Sequence, residues 1–112
     1  MESCLFCKII NKELPSTIVH EDDKFLAIKD IFPKAPLHLL VIPKRHIVSI
    51  NHLESADKEL IGELIWLAKA IAQDQDTAES GYRLSFNIGK DSGQTVDHLH
   101  LHLMGKGKLP LD

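Results

Sequence analysis

The sequence has few of the features that mark membrane, disulfide-stabilised or nucleic-acid-binding proteins. No apolar run approaches the roughly 20 residues that cross a bilayer, and the first residues show no basic segment followed by an apolar one, as a signal peptide would. The net charge is −3 at pH 7, whereas nucleic-acid binders usually carry a basic face. We therefore expect a cytoplasmic protein that binds neither membranes nor nucleic acids, although a single nucleotide remains compatible with this charge.

Cysteine is scarce as well, with two residues in 112. Cys4 and Cys7 are too close in sequence for a disulfide between them to stabilise a fold, and in a reducing compartment such a pair is more often a metal or redox motif. The hydrophobic content of 44% and the charged content of 26% are those of an ordinary globular protein. A chain of this length is expected to form one domain over residues 1–112.

The most unusual stretch lies near the C-terminal end, where three of the seven histidines alternate with leucines. Successive side chains of a strand point to opposite faces. His98, His100 and His102 would therefore share one face, each about 6.6 Å from the next. The preceding Gly93-Gln94-Thr95 segment offers flexible backbone N–H groups, an amide and a hydroxyl, which suit an anionic ligand.

Three explanations of this histidine row compete. A half-solvated strand whose polar face happens to be histidine would be ordinary for one residue, but it explains three in strict alternation poorly. A metal site is the second explanation, since two alternate histidines can share one zinc ion, although nothing nearby obviously completes the site. The third is chemistry on phosphate, in which one neutral imidazole attacks phosphorus and its neighbours hold the phosphoryl oxygens.

Periodicity along the rest of the chain predicts an α+β domain. The segment before Pro43 is nearly all apolar, which fits a central strand buried on both faces, and the strand after Gly81 should pair antiparallel with the histidine strand. The predicted strands cover residues 17–21, 24–28, 37–42, 81–88 and 98–104, and the predicted helices cover residues 4–13 and about 57–75. The sum is about five mostly antiparallel strands, one long helix and a short N-terminal helix.

Several blocks of the sequence, in order, resemble the histidine triad (HIT) family, whose mark is His-x-His-x-His followed by apolar residues. The blocks are Cys4-Leu5-Phe6-Cys7-Lys8-Ile9-Ile10, Asp30-Ile31-Phe32-Pro33-Lys34-Ala35-Pro36-Leu37-His38, Val41-Ile42-Pro43-Lys44-Arg45-His46 and the stretch from Gly93 to Met104. They span nearly the whole chain, and the closer similarity is to the histidine triad nucleotide-binding protein (Hint) branch. The resemblance implies a homodimer whose sheets join across the interface, each subunit binding a purine nucleoside monophosphate or its phosphoramidate.

The same resemblance implies roles for individual residues. Asp30 would bind the ribose hydroxyls, and His38 would approach the phosphate from its own strand. The purine base would lie between Phe6, Ile9, Ile28, Ile31 and Leu40. The phosphate would be surrounded by Asn87, Gly93, Thr95, His100 and His102, and Gln94 and Val96 would complete the nucleotide site.

The implied activity is hydrolysis of purine nucleoside phosphoramidates, with no cofactor required for catalysis. A main-chain carbonyl would hold one ring nitrogen of His100 and leave the other aimed at the α-phosphorus. Attack would give a nucleotidyl-histidine intermediate, which water cleaves to release the monophosphate. His102 and Thr95 would stabilise the developing charge, Thr95 would assist the leaving amine, and His38 would complete the catalytic group.

A structural zinc ion is a separate expectation. Some bacterial relatives that resemble this chain join two N-terminal cysteines, the histidine after the Pro-Lys corner and the first triad histidine around zinc. The corresponding residues here are Cys4, Cys7, His46 and His98. The spacing is acceptable for a closed tetrahedral site, and two small buried cysteines on a short helix are an equally good explanation. Zinc there would leave His100 available for catalysis.

Other functions remain open at this stage. Thr95 is at the position where the Hint branch usually has serine, and the sequence Gly-Gln-Thr-Val is typical of the dinucleoside polyphosphate hydrolase branch. Rates on adenosine 5′-phosphoramidate and on a diadenosine polyphosphate would separate the two. A nucleotide-binding regulator with incidental hydrolysis would use the same cavity, and a turnover number would distinguish it. A metallohydrolase with its metal on the three histidines would lose activity to a chelator.

Overall fold

The computed structural model describes residues 3–110, which form a five-stranded antiparallel sheet with a long helix and a short one. The helices are α1 (Leu5–Ile10) and α2 (Lys58–Asp74), and the strands are β1 (Ile18–Glu21), β2 (Phe25–Lys29), β3 (Leu37–Pro43), β4 (Tyr82–Ser85) and β5 (Leu101–Gly105). The strand order is β1-β2-β3-β5-β4. The predicted α+β architecture, with its hairpin, its central strand and its two helices, is confirmed.

The centre of the sheet is formed by β3, which pairs with β2 on one side and with β5 on the other. All seven of its residues are buried, because both faces of the sheet are covered. The apolar run over residues 37–42 therefore behaves as predicted. Pro43 is compatible with this strand because it is the last residue, where a missing N–H costs little.

The two faces of the sheet carry two separate apolar layers. The long helix α2 covers one face, where Leu39 and Val41 of β3 and Leu101 and Leu103 of β5 pack beneath it. The short helix α1 lies over the other face with Leu26, Ile28, Leu40 and Ile42. Since side chains alternate along a strand, the leucines of β5 point toward α2 and the intervening histidine toward the α1 side.

Three predicted boundaries were wrong by three residues, those of α1, β4 and β5. The helix predicted to reach Glu13 ends at Ile10, because Lys12 adopts a left-handed conformation with φ of 64°. The Glu13 N–H then donates to the Lys8 carbonyl at 2.8 Å, a C-terminal cap that stops the helix. At the other end of the chain, β5 begins at Leu101 rather than at His98.

The late start of β5 has a local cause. On one side β4 ends at Ser85, opposite His102 and three residues before the predicted end of that strand, and on the other side the pairing with β3 stops at Val41 and Leu101 although β3 continues to Pro43. The Leu99 N–H instead donates to the Ile47 carbonyl at 2.6 Å. His98 thus lies in a bend over residues 96–98, and His100 lies between that bend and β5, so neither is part of the sheet. Within residues 3–110, no helix is long and apolar enough to cross a membrane.

Candidate active site

A cavity of about 770 Å³ lies on the α1 side of the sheet, within the size range of small-molecule sites. Alternate residues of the paired strands β3 and β5 line it, namely His38 and Leu40 with His102 and Met104. One part of its wall is apolar, formed by Leu5, Phe6, Ile9, Leu14, Ile28, Ile31, Phe32 and Leu40. Another part is polar, formed by Ser85, Asn87, Ser92, Gly93, Thr95, His100 and His102.

Most of the predicted site residues meet in this cavity. The residues that line it are Phe6, Ile9, Ile28, Asp30, Ile31, His38, Leu40, Asn87, Gly93, Thr95, Val96, His100 and His102. Gln94 does not line it, and its side chain bonds to main-chain groups instead. Ten lining residues were missed, namely Leu5, Leu14, Pro15, Ser16, Lys29, Phe32, Lys34, Ser85, Ser92 and Met104. Of these, Ser85 and Met104 each alternate with a predicted residue, Asn87 or His102, so the period of two along a strand could have found them.

His100 has the environment of a nucleophile. Its Nδ1–H donates to the His98 carbonyl at 2.8 Å, so the lone pair of the neutral ring is on Nε2. The edge of the Phe6 ring packs against it, with 5.1 Å between centroids. Burial lowers the pKa of His100 below its ordinary value, more than its hydrogen bond to the carbonyl raises it. The imidazole is therefore neutral at pH 7 and has one accessible basic nitrogen.

A directed chain of hydrogen bonds joins the other two histidines of the cavity. The Lys34 main-chain N–H donates to His38 Nδ1 at 3.1 Å, so neutral His38 carries its proton on Nε2. That nitrogen lies 3.0 Å from His102 Nδ1 and donates to it. His102 in turn must carry its own proton on Nε2. The chain ends in an N–H donor at the polar part of the cavity.

His38 and His102, the two histidines joined by these hydrogen bonds, are neutral at physiological pH. Burial, followed by the neighbouring imidazoles of His100 and His38, lowers the pKa of His102 to about 4. Burial also lowers the pKa of His38, against the opposing effect of the Asp30 carboxylate. Asp30 Oδ2 lies 3.4 Å from His38 Nε2, and its Oδ1 accepts the Phe32 N–H at 2.8 Å.

The loop over residues 89–95 borders the polar part of the cavity. Gly89 and Gly93 have φ of 78° and 84°, which glycine adopts without the steric cost that other residues bear. A single 3₁₀ turn, Lys90–Ser92, lies between them. The Asn87 side-chain N–H donates to the Ser92 carbonyl at 2.8 Å and holds the turn against the end of β4.

A second cluster, formed by Cys4, Cys7, His46 and His98, brings four potential metal ligands within 4.8 Å of one another. Cys4 Sγ lies 3.3 Å from His98 Nδ1, and Cys7 Sγ lies 3.3 Å from His46 Nδ1. The two Nδ1 atoms are 3.1 Å apart. These separations resemble the edges, about 3.3–3.8 Å, of a tetrahedron built with ordinary Zn–S and Zn–N bonds.

The hydrogen bonds around this cluster favour a metal. His98 Nε2–H donates to the Pro43 carbonyl at 2.8 Å, which leaves the lone pair on Nδ1, the nitrogen that faces the cysteines. Burial, and then Cys4, raise the pKa of Cys7 to about 11. Without a metal this thiol is protonated, and a bound cation would displace the proton. The residues present therefore fit a tetrahedral ion.

Asp30, His38 and His102 also bring three potential ligands within 4.8 Å, but their hydrogen bonds oppose a metal. The Lys34 N–H at Nδ1 of His38 keeps the ring proton on Nε2, the nitrogen that faces the other two residues. A metal at Nε2 would require the ring to lose its only proton or to turn an N–H against the Lys34 N–H. In the cysteine cluster, the His98 nitrogen that faces the other ligands is therefore unprotonated. In the Asp30 cluster, the His38 nitrogen that faces the other ligands carries the proton.

Known proteins similar to this chain share most of its length. A family model described as "Scavenger mRNA decapping enzyme C-term binding" matches residues 3–110. The "Purine nucleoside phosphoramidase" of Escherichia coli (strain K12) is 42% identical over 104 residues, which are 93% of this chain and 87% of that protein.

Solved structures are also similar to this chain over nearly its whole length. A HIT family hydrolase from Legionella pneumophila Philadelphia 1 superposes with a TM-score of 0.95 at 48% identity, covering 97% of each chain. A HIT family hydrolase from Clostridium thermocellum also has a TM-score of 0.95, at 46% identity, covering 100% of this chain and 97% of that one.

The low pKa values of His38 and His102 predict how stability depends on pH. Both folded-state values lie below the ordinary 6.5, so the unfolded chain binds protons first as pH falls. We expect the free energy of unfolding to be flat above about pH 6.5 and to decrease below it. Urea denaturation from about pH 7.5 to about pH 5, with a chelator present throughout, measures this dependence.

Two variants separate this effect from general acid sensitivity. His102→Gln replaces the titrating ring by a neutral amide and should show a shallower decrease, whereas His52→Gln, which changes an exposed histidine outside the cavity, should match the parent protein. Wild-type stability that stays constant down to about pH 5 would contradict the assignment.

Proposed function

The chain is a hydrolase of the histidine triad family, and we propose that it cleaves purine nucleoside phosphoramidates to nucleoside monophosphates, with His100 as the nucleophile. The observation that carries this proposal is the buried neutral ring of His100, held by the His98 carbonyl at the polar part of the cavity. The printed name of the Escherichia coli relative, purine nucleoside phosphoramidase, supports the substrate class.

The wall of the cavity suits a nucleotide. A purine would be held in the apolar part by burial and ring packing against side chains such as Phe6, Ile9 and Leu40. Asp30 is the carboxylate of the lining, and its Oδ2 could accept hydrogen bonds from ribose hydroxyls. The 89–95 loop with Thr95 and the Nε2–H of His102 would then meet the phosphate.

The proposed reaction has two steps. In the first, His100 Nε2 forms a bond to the α-phosphorus while the phosphorus–nitrogen bond breaks, and the leaving amine takes up a proton, with Thr95 assisting. In the second, water attacks phosphorus, the bond to His100 breaks, and a proton is released as the monophosphate leaves. His102 donates its N–H to a phosphoryl oxygen as negative charge builds up in each step.

Replacing His100 with alanine is the direct test of this role. We expect kcat/KM on adenosine 5′-phosphoramidate to fall by about a thousandfold, roughly 4 kcal/mol, because the nucleophile is lost. A continuous assay of amine release from wild type, His100→Ala and the control His52→Ala measures it. A variant that stays within about tenfold of wild type, about 1.4 kcal/mol, would contradict the assignment.

The same assay addresses the leaving group. Two lysines, Lys29 and Lys34, also line the cavity, and such cations would favour a substrate with further phosphates. Hydrolysis of dinucleoside polyphosphates is therefore the second candidate function. A kcat/KM higher for diadenosine tetraphosphate than for the phosphoramidate would replace our proposal by this alternative. A nucleotide-binding regulator would show ligand affinity with negligible turnover on both compounds.

We also propose that the Cys4, Cys7, His46 and His98 cluster holds a structural zinc ion. The donor separations and the orientation of His98 support it. When bound, the ion would cross-link α1, the segment after β3 and the segment before β5. The chemistry described above stays with His100, which is outside the donor set.

Metal analysis tests the zinc proposal. Protein purified without an affinity tag should contain about one zinc per chain, since the four donors complete one tetrahedral shell. Cys7→Ser should lower both the zinc content and the melting temperature, whereas Ser16→Ala, a change at a residue outside the cluster, should alter neither. A zinc-to-chain ratio near zero in the wild type would contradict the proposal.

A homodimer is the third proposal. The strand β4 is at one edge of the sheet, and an unpaired edge is a surface to which another strand can add. On α2, Trp66 is 70% exposed and Ile65 is 44% exposed, and we propose that the second copy covers this apolar pair. Lys69 Nζ lies 4.5 Å from the Trp66 ring centroid.

Sedimentation measures the oligomeric state. We expect a species of twice 12.6 kDa, and Trp66→Glu should shift it toward the monomer because it replaces a large apolar ring by a carboxylate that is costly to bury in the interface. Ile18→Glu, an equivalent change on the edge strand β1 at the far side of the sheet, should leave the dimer intact. A wild-type monomer at about 100 μM would overturn this proposal.

A further inference from the structure

Gln94 lies between two residues that line the cavity, Gly93 and Thr95, yet its own side chain is not part of the lining. Its carboxamide bonds only to main-chain groups. The Nε2 atom donates to the Val48 carbonyl at 2.7 Å and to the Val96 carbonyl at 3.0 Å. The Oε1 atom accepts the Gly89 N–H at 2.8 Å.

These bonds use both N–H donors of the Gln94 side chain. A glutamine amide has two N–H donors and one carbonyl oxygen, and both donors and the oxygen are engaged within the protein. A ligand could recruit an N–H of Gln94 only by taking it from a main-chain carbonyl, which would leave that carbonyl unsatisfied. The geometry therefore separates Gln94 from the groups that can meet a ligand directly.

Two of the three partners lie at the two ends of the loop, and the third lies in a neighbouring segment. Gly89 begins the 89–95 loop, Val96 follows it, and Val48 lies two residues beyond His46 in the segment after β3. The main chain of Gln94 adds a further bond, from its N–H to the Gly89 carbonyl at 3.2 Å. The side chain thus closes the loop on itself and fixes it to a neighbouring segment.

The loop needs such a clamp because of its composition. Gly89 and Gly93, both at positive φ, have more conformational freedom in an unrestrained chain than any other residue type. Holding a loop of this kind in one conformation costs roughly 1–2 kcal/mol for each residue that is ordered. If the cost is met before the ligand arrives, it is not subtracted from the affinity for the ligand.

We infer that Gln94 is a positioning residue that holds the 89–95 loop in its phosphate-binding conformation before the nucleotide arrives. The identity of the ligand rests on the proposed function, whereas the clamp itself rests on the hydrogen bonds. Affinity for the phosphate group then depends on a side chain that does not touch it. Affinity for the nucleoside part, which meets the apolar wall, does not depend on Gln94.

Two variants dissect the clamp. Gln94→Ala removes all three bonds. Gln94→Glu has nearly the same shape and keeps an acceptor for the Gly89 N–H, but it places carboxylate oxygen against the Val48 and Val96 carbonyls, where no donor remains. Gln73→Glu is the matched control, since Gln73 is an exposed residue near the end of α2.

Calorimetric titration with adenosine monophosphate and with adenosine measures the phosphate-dependent part of the affinity. We expect both Gln94 variants to weaken binding of the monophosphate by at least about tenfold, roughly 1.4 kcal/mol, and binding of adenosine by less than about twofold. The control should bind both compounds as wild type does. Equal weakening for both compounds would mean a general loss of structure and would overturn the inference.

Amide hydrogen exchange in the ligand-free protein separates positioning from direct contact. The Gly89 N–H should exchange faster in Gln94→Ala, which lacks the acceptor, and should remain protected in Gln94→Glu. If Gln94→Ala weakens binding of the monophosphate while amide hydrogen exchange across the loop is unchanged, Gln94 contacts the ligand and the inference is wrong. If wild type binds no monophosphate, the proposed function fails, and the exchange rates alone decide on the clamp.

Discussion

The register between β3 and β5 is the constraint on which the rest of the site depends. Leu39 lies opposite Leu103, and Leu40 lies opposite His102, so the two strands place their leucines under α2 and their alternate residues in the cavity. A shift of one residue would turn every side chain of β5 to the other face. It would bury His102 beneath α2 and expose Leu101 and Leu103. The apolar layer that stabilises the fold therefore also fixes the orientation of the histidines.

Hydrogen bonds to main-chain groups then give these histidines different chemistry. His98 donates to the Pro43 carbonyl and keeps a lone pair toward the cysteines. His38 accepts from the Lys34 N–H and presents a proton to His102. His100 donates to the His98 carbonyl and keeps its lone pair on Nε2. Burial keeps His38, His100 and His102 neutral, since each of their pKa values lies below the ordinary one. In the function proposed above, identical side chains thus serve as a zinc ligand, a donor relay and a nucleophile.

The short helix α1 connects the two clusters. Its first turn carries Cys7 of the second cluster, while Phe6 packs edge-on against His98 and His100. Phe6 and Ile9 also form part of the apolar wall of the cavity. A helix of six residues is too short to be stable alone, so this wall depends on tertiary contacts, namely the apolar layer with Ile28 and Leu40 and the cysteine contacts with His46 and His98.

The sequence by itself determined the strands, the long helix and the face on which the histidines lie, because period-two and period-3.6 patterns are local and depend on side-chain burial alone. The residues that it predicted for the nucleotide site, through the resemblance of ordered motifs rather than through physics, all line the cavity except Gln94. Only the tertiary structure decided the late start of β5, the proton on each imidazole and the partners of Gln94. These depend on where neighbouring strands end and on which main-chain N–H or carbonyl lies within reach, as Val48 does for Gln94 and Lys34 for His38. No periodicity in the sequence records which main-chain group lies within reach, whether that group is 46 residues away, as Val48 is from Gln94, or four, as Lys34 is from His38.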